Sequence, residues 1–360
     1  MTTTSERLSE KLTREVSKRV SQSVFDGSRL RVVLLVDVYD GAQQQFLEAY
    51  EKLCKQVASV PGHVSDQLCQ SIENPSQWLI TSEWESAPPF LTWVNSEEHV
   101  RMVQPLHSCV RDTRSLRFHI VRETSGAAQT QSAERRLQAH PRIGDGVIRH
   151  ALTFTVKPGS EKKVAKILAD YASPEARVDD TTRLCRTSLF MHGNRVVRAI
   201  EVRGDLLAAL RHVAVQPEVR AVEEAINPYL EQDRDLDDQE SARMFFTRAA
   251  LPAVHHVGTE DQSEGRRQAL CYPARSGHGM RLAELIAQAD SAATEDAASP
   301  VLRSTVFQRD DVVVRLVDMR GDQEAEVLPR EPRMAAEVRE LLAAEVARMD
   351  LITDRRSPGA

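Results

Sequence analysis

The sequence predicts an α+β protein of three ferredoxin-like (βαββαβ) units, the second and third forming a pseudo-dimer within one chain. Three observations carry this expectation. The stretch RTSLFMHGNRVVRAIEVRGD (186–205) returns without a gap as RSTVFQRDDVVVRLVDMRGD (303–322). The order strand, helix, two strands, helix, strand can be read three times along the chain. Polar stretches at 125–138 and 258–265 separate the readings. At 360 residues the chain has room for two or three domains of about 150 residues each. The expected divisions are a polar extension (1–29), unit one (30–123), a linker (124–144), unit two (145–257), unit three (258–353) and a tail (354–360).

Unit one opens with RVVLLVDVY, a nearly unbroken apolar run of the kind that forms a covered strand. Phe46, Ala49, Tyr50, Leu53 and Val57 then recur at helical spacing. HVSDQLCQSI and QWLITSEWES read as two strands joined by the turn Glu73-Asn74-Pro75-Ser76. A second helix covers about Ser96 to Val110, and SLRFHIV closes the unit with Leu116, Phe118 and Ile120 on one face. In unit two, IRHALTFTV precedes Pro158-Gly159 and a helix carrying Val164, Ile167, Leu168 and Tyr171. The repeated hairpin follows, then helical segments from Leu206 to Leu230, and RMFFTRA as the closing strand. Unit three reads as QALCYPA, a helix on Leu282, Leu285 and Ile286, the hairpin again, the helix RMAAEVRELLAAEVARM and a short DLITD. A sheet with helices on one side has a second face to bury. Units two and three can bury theirs against each other, so unit one is expected to use a second copy of the chain, as a homodimer.

Composition narrows the function. A net charge of -6 offers no general attraction to nucleic acid or anionic lipid. Neither end has a run of about 20 apolar residues, so no membrane span is expected. The polar start lacks the apolar segment of a secretory signal. Five scattered cysteines, never in C-x-x-C spacing, read as reduced thiols in a cytoplasm. No dinucleotide fingerprint, phosphate loop, zinc-protease or nucleophile-elbow motif is present, which argues against a conventional nicotinamide or flavin enzyme.

The candidate site residues fall in two groups. All three tryptophans lie in unit one, where Trp78, Ile80, Ser82 and Trp84 share one strand face, followed by Phe90 and Trp93. Such a cluster can stack a flat aromatic ligand or be ordinary core. On the second helix His107 aligns with Val100, Val103 and Val110, and His99 borders the same face, so both point inward as general-base candidates or as satisfied core histidines. In the duplicated half, His150 interrupts the row Ile148, Leu152, Phe154, and Arg198 and its copy Arg315 interrupt apolar rows of the hairpins. A guanidinium in such a row needs an acid, expected across the duplicated interface, or the anionic oxygen of a ligand. The pair His255-His256 has no evident third ligand, and no metal site is expected.

Residues 30–123, centred on SEWESAPPFLTWVNSEEH, resemble the antibiotic biosynthesis monooxygenase family of dimeric α+β barrels. Residues from about 145 to 352, around ARMFFTRAALPAVHH, resemble the SchA/CurD-like family found with aromatic polyketide and spore-pigment synthases of actinomycetes. The first resemblance implies oxidation of a polycyclic anthrone or phenol by O2 without a cofactor. The second implies polyketide cyclases as possible partners. In oxidases of the first family, the tryptophan matched by Trp84 is accompanied by an Asn four residues before it and a Tyr six after. Here those places hold Ile80 and Phe90. Either His99 and His107 take over the polar roles, or the pocket lies in the duplicated half at His150, Arg198 and Arg315. The haem-degrading branch would need a histidine after the tryptophan where Val94 stands. A non-redox cyclisation subunit and a docking subunit are the competing expectations.

Overall fold

The structure, a computed structural model, describes residues 20–121, 123, 144–170, 174–259, 261 and 263–357. The polar stretch 125–138 and Tyr171 lie outside these. Two compact units emerge, one of residues 23–142 and one of 143–360 joined by 1–22.

A short strand β1 (Val20–Ser23) comes first. The N-terminal unit then runs β2 (Leu30–Val38), α1 (Gln43–Val57), β3 (His63–Gln70), β4 (Gln77–Trp84), α2 (Ala87–Val94), α3 (Glu97–His107) and β5 (Val110–His119). Its antiparallel sheet has the order β3-β4-β2-β5. The expected second helix is α3, which Ser96 caps by accepting a hydrogen bond from the His99 backbone N–H at 3.1 Å, and α2 is a further short helix before it. Strand alternation sends Val36, Trp78 and Ile80 toward Phe46 and Leu106 of the helices. The opposite face carries Val33, Leu35, Leu79, Leu116 and Phe118, and is bare within the unit: Leu35 is 43% and Phe118 51% exposed.

The C-terminal unit contains β6 (Val147–Thr155), α4 (Glu161–Ala169), β7 (Arg183–His192), β8 (Arg195–Arg203), α5 (Leu206–Ala214), α6 (Pro217–Ile226), α7 (Gln239–Ala249) and β9 (Ala250–Gly258). It continues with β10 (Arg266–Pro273), α8 (Gly279–Glu295), β11 (Val301–Arg309), β12 (Val312–Met319), α9 (Pro332–Leu341) and β13 (Ala347–Arg356). Its strands follow the order β9-β11-β12-β10-β13-β7-β8-β6, with β1 beside β9. Pairing of His150–Leu152 with Ala250–Pro252 joins β6 back to β9 and closes a β-barrel. The two repeated hairpins share their register: Arg186 faces Glu201 as Arg303 faces Asp318, and Phe190 faces Val197 as Phe307 faces Val314. They also share a bulge, between Leu184 and Arg186 in one and Val301 and Arg303 in the other. The repeated Arg-Gly-Asp ends each hairpin on a glycine of positive φ, +96° at Gly204 and +67° at Gly321.

Two elements differ from the sequence reading. RMFFTRA is helical, because Ala242, Phe245, Phe246 and Ala249 form a stripe at helical spacing while Arg243, Thr247 and Arg248 face solvent. The strand follows it, on ALPAVHHVG. The helix read over 333–349 ends at Leu341, and Ala347–Arg356 is the strand that joins β10 to β7. Pairing on both edges overrides the helical pattern read through Ala347, Arg348 and Met349.

One apolar cluster draws on every strand from β6 to β13, including Ala151, Phe190, Leu251, Phe307, Leu316 and Met349, and therefore fills the barrel. Along the same inward rows lies a layer of charge. Arg186 donates to Asp318 at 2.9 Å and to Asp354 at 2.6 and 2.8 Å. Arg267 donates to Asp318 at 2.8 Å, to Glu201 at 2.6 Å and to Ser188 at 3.1 Å. Arg303 adds a bond to Asp318 at 3.1 Å. Burial alone would raise the Asp318 pKa, but Arg267, Arg186 and Arg303 hold it far below the usual carboxylate range. Asp318→Asn leaves three guanidiniums around a neutral amide, and removing one member of a buried ionic set costs about 3–5 kcal/mol. A urea titration should show a loss of that size, and a loss under about 1 kcal/mol would contradict the role given to the layer.

Candidate functional site

A cavity of about 270 Å³ lies in the N-terminal unit between the sheet and helices α1 and α3. Register builds its floor. Asp66, Ser82, Val32 and Arg117 stand in one row across β3, β4, β2 and β5, and Leu68, Ile80, Leu34 and Ser115 in the next. Tyr50 and Phe46 come down from α1, His99, Val103 and His107 from α3, and Phe90 and Trp93 close one end from α2.

Four of the sequence-predicted residues therefore meet in this cavity: His99, His107, Phe90 and Trp93. Trp84 sits behind them, fully buried. Its indole N–H donates to Ser82 at 2.9 Å, and its ring stacks on Trp93 with centroids 5.4 Å apart and a 28° interplanar angle. Trp84 thus positions Trp93 and does not line the cavity. Trp78 is core, packed on Phe46 at 5.4 Å. Trp93 meets the His99 ring edge-on at 4.3 Å.

The polar atoms of the cavity are unevenly satisfied. Among the described residues, the Nδ1 of His99 and the indole N–H of Trp93 are buried without a hydrogen-bond partner. Burial, aided by the nearby charges of His107 and Arg117, pushes the His99 pKa down to about 4, so its imidazole is neutral at pH 7. Arg117 reaches solvent through the cavity mouth, yet enough protein surrounds it to lower its pKa. Its guanidinium lies 5.3 Å from the Phe90 ring centroid. Among the described residues no carboxylate makes an ion pair with it. At the other edge, Asp66 lies 2.9 Å from His63, whose ring packs edge-on against Trp84 at 5.2 Å. Tyr50 is pushed up to about 12 by burial and by Asp66, and stays a phenol. Arg117, Asp66, His63 and Tyr50 were missed in the sequence. Alternation around Leu116, Phe118 and Ile120 was the available signal for Arg117, since it sends Arg117 to the helix side.

The duplicated half distributes its candidates differently. Arg198 pairs with Glu223 on α6, which also accepts from Arg234 at 2.8 Å. Arg315 pairs with Asp290 on α8 at 2.5 Å and donates to the Glu326 carbonyl at 2.8 Å. The acids come from helices on the same side of the sheet as the arginines, not from across the duplicated interface as the sequence suggested, because these rows face away from the barrel interior. A second cavity of about 280 Å³, between α8 and β12 and bounded by Tyr272, Met319 and Met334, contains the neutralised Arg315–Asp290 pair. His150 is half-buried on β6 with its pKa pushed down to about 4 by burial. His255 and His256 point to opposite faces, His255 toward Ser291 of α8 at 3.3 Å and His256 toward Thr305 at 2.9 Å.

The lowered pKa values of His99 and His150 have a consequence for stability. His99 and His150 fall from an ordinary 6.5 to about 4 on folding. Between those values the unfolded chain binds more protons than the folded one, so stability rises with pH. Their contribution is whole above pH 6.5 and is lost progressively as pH falls toward 4. Urea midpoints measured at pH 7.5, 5.5 and 4.5 should decline, and His99→Gln should flatten the decline. Equal slopes for the two proteins would contradict a neutral, buried His99.

Residues 29–105 match the antibiotic biosynthesis monooxygenase family, and residues 147–259 match the SchA/CurD like domain. A 42.8 kDa protein in the whiE locus of Streptomyces coelicolor is 60% identical over 365 residues, covering 95% of this chain and 91% of the relative. The polyketide synthase CurD of Streptomyces cyaneus is 64% identical over 312 residues, covering 86% of this chain and 84% of its own. Among solved structures, SnoaB, a cofactor-independent oxygenase from Streptomyces nogalater, aligns with 29% of this chain and 99% of its own, at 14% identity and a TM-score of 0.25. The chain belongs to the SchA/CurD-like family, with an antibiotic biosynthesis monooxygenase domain toward its N-terminus.

Proposed function

We propose that this protein is an oxygenase of aromatic polyketide tailoring that converts a polycyclic anthrone or phenol to its quinone with O2, and that the N-terminal cavity is its site. The observation that carries the reading is the company His99 keeps: a neutral imidazole, an aromatic wall of Trp93 and Phe90, and, among the described residues, no hydrogen bond to its Nδ1 and no acid paired with Arg117. An anthrone CH2 is acidic because its carbanion delocalises into the ring ketone and phenols. His99 accepts the proton; its low pKa keeps it in the accepting form, and Arg117 offsets the charge left on the enolate oxygen. His107, at the mouth, passes the proton to solvent. The carbanion gives one electron to O2, the radical and superoxide combine at the same carbon, and the peroxide loses water. The CH2 and O2 thus become C=O and H2O.

In this reading the barrel is an intrachain pseudo-dimer of two ferredoxin-like units, and the N-terminal unit is a third. Support comes from its strand order, second-third-first-fourth, which recurs as β7-β8-β6-β9 and β11-β12-β10-β13. The bare face around Leu35 and Phe118 then pairs two copies of the chain. Sedimentation at micromolar concentration should give a dimer that Leu35→Glu with Phe118→Glu converts to monomer; a monomeric wild type would refute the pairing.

Oxygen uptake by metal- and flavin-free protein on an anthrone should match quinone formation one to one. His99→Ala should lower the rate by about 10²-fold. The rate should stay level from pH 8 to 5 and fall only as pH approaches 4. The second reading, a subunit that steers polyketide cyclisation without redox chemistry, is favoured by Ile80 and Phe90, which leave two polar places of the related oxidases empty. Altered cyclisation products without oxygen uptake would select it.

A further inference from the structure

The cavity floor carries opposite charges at the two ends of one row. Asp66 on β3 and Arg117 on β5 occupy the two edges of one row, with Ser82 and Val32 between them. Three interstrand steps of about 4.8 Å place their backbones about 14 Å apart, close to the long axis of three linearly fused rings with one oxygen substituent at an end. Ile80, Leu34 and Val36 line the floor beside this row. The charges at the two edges are opposite, and they are held differently. Asp66 lies 2.9 Å from His63 and faces Tyr50, whereas Arg117 lies over the Phe90 ring and has no carboxylate partner among the described residues.

We propose that the cavity takes its polycyclic ligand in a single orientation, with an anionic oxygen (phenolate or carboxylate) at Arg117 and a neutral hydroxyl donating to Asp66 at the opposite edge. This rests on the reading that the cavity is the ligand site and adds the chemistry that selects among ligands. The reversed orientation sets the anion against the Asp66 carboxylate and leaves Arg117 unpaired, so both charges disfavour it. The orientation also brings the anionic end of the ligand to the side where Arg117 and His99 interact. Arg117 and Asp66 are in this sense specificity-determining residues.

Equilibrium dialysis under anaerobic conditions separates binding from turnover. The probes are anthracene-2-carboxylate, its carboxamide, and 6-hydroxyanthracene-2-carboxylate. The wild type should bind the acid about tenfold or more tightly than the amide. Arg117→Met should abolish that preference, Arg117→Lys should keep part of it, and neither should weaken the amide. The far hydroxyl should tighten the acid severalfold in the wild type and not in Asp66→Ala. Equal affinity of the wild type for acid and amide, a preference that survives Arg117→Met, or no binding of any probe would overturn the proposal. An intact preference with no oxygen uptake on an anthrone would sink the oxygenase reading alone, and oxygen uptake without the preference would sink the orientation alone.

Discussion

An antiparallel sheet covered by helices on one side must bury its other face, and most of this molecule follows from how that is done. In the C-terminal unit eight strands close on themselves, so the uncovered face becomes the interior of a barrel. Phe190 and Phe307, at matching positions of the repeated hairpins, fill it with bulk. The interior is thereby used up by packing. Space for a small molecule is left on the helix side of the sheets, and both described cavities of about 270–280 Å³ lie there.

The charge layer explains what the hairpin repeat preserves. Arg186 and Arg303 are repeat partners, and so are Glu201 and Asp318; with Arg267 and Asp354 they bring three guanidiniums together with three carboxylates. The set is balanced, and each arginine has carboxylate partners, which is the condition under which buried charge is tolerable. Arg186 reaches from one hairpin to Asp318 of the other, so the layer also fixes how the copies register. The same completeness argues against chemistry there. Arg198 and Arg315 are likewise held by Glu223 and Asp290. The N-terminal cavity differs in kind, because among the described residues its arginine makes no ion pair with a carboxylate and its His99 Nδ1 has no hydrogen-bond partner.

Much of this was legible in the residues. Period-two alternation found the strands of the N-terminal sheet and put Trp78 and Trp84 on its inner face. Helical spacing put His99 and His107 inward, and the ungapped repeat found both barrel hairpins. What escaped depends on partners distant in sequence. Phe245 and Phe246 have strand-forming side chains, yet Arg234 lies over both rings and the stripe they share with Ala249 is helical. Ala347–Arg356 is a strand only because β7 and β10 flank it, and Asp354, placed in the tail by the sequence, belongs to the charge layer. Asp66 and Arg117 are 51 positions apart and become two ends of one row only through the register of four strands.

The central claim is that the ligand site lies under α1 and α3 of the N-terminal unit and not in the duplicated half. A crystal structure of the protein soaked anaerobically with a tricyclic hydroxylated anthrone tests it most directly. The account predicts ring density against Trp93 and Phe90, with a ligand oxygen at Arg117 and a ring carbon facing His99. Density between α8 and β12, with the N-terminal cavity empty at saturating ligand, would contradict it.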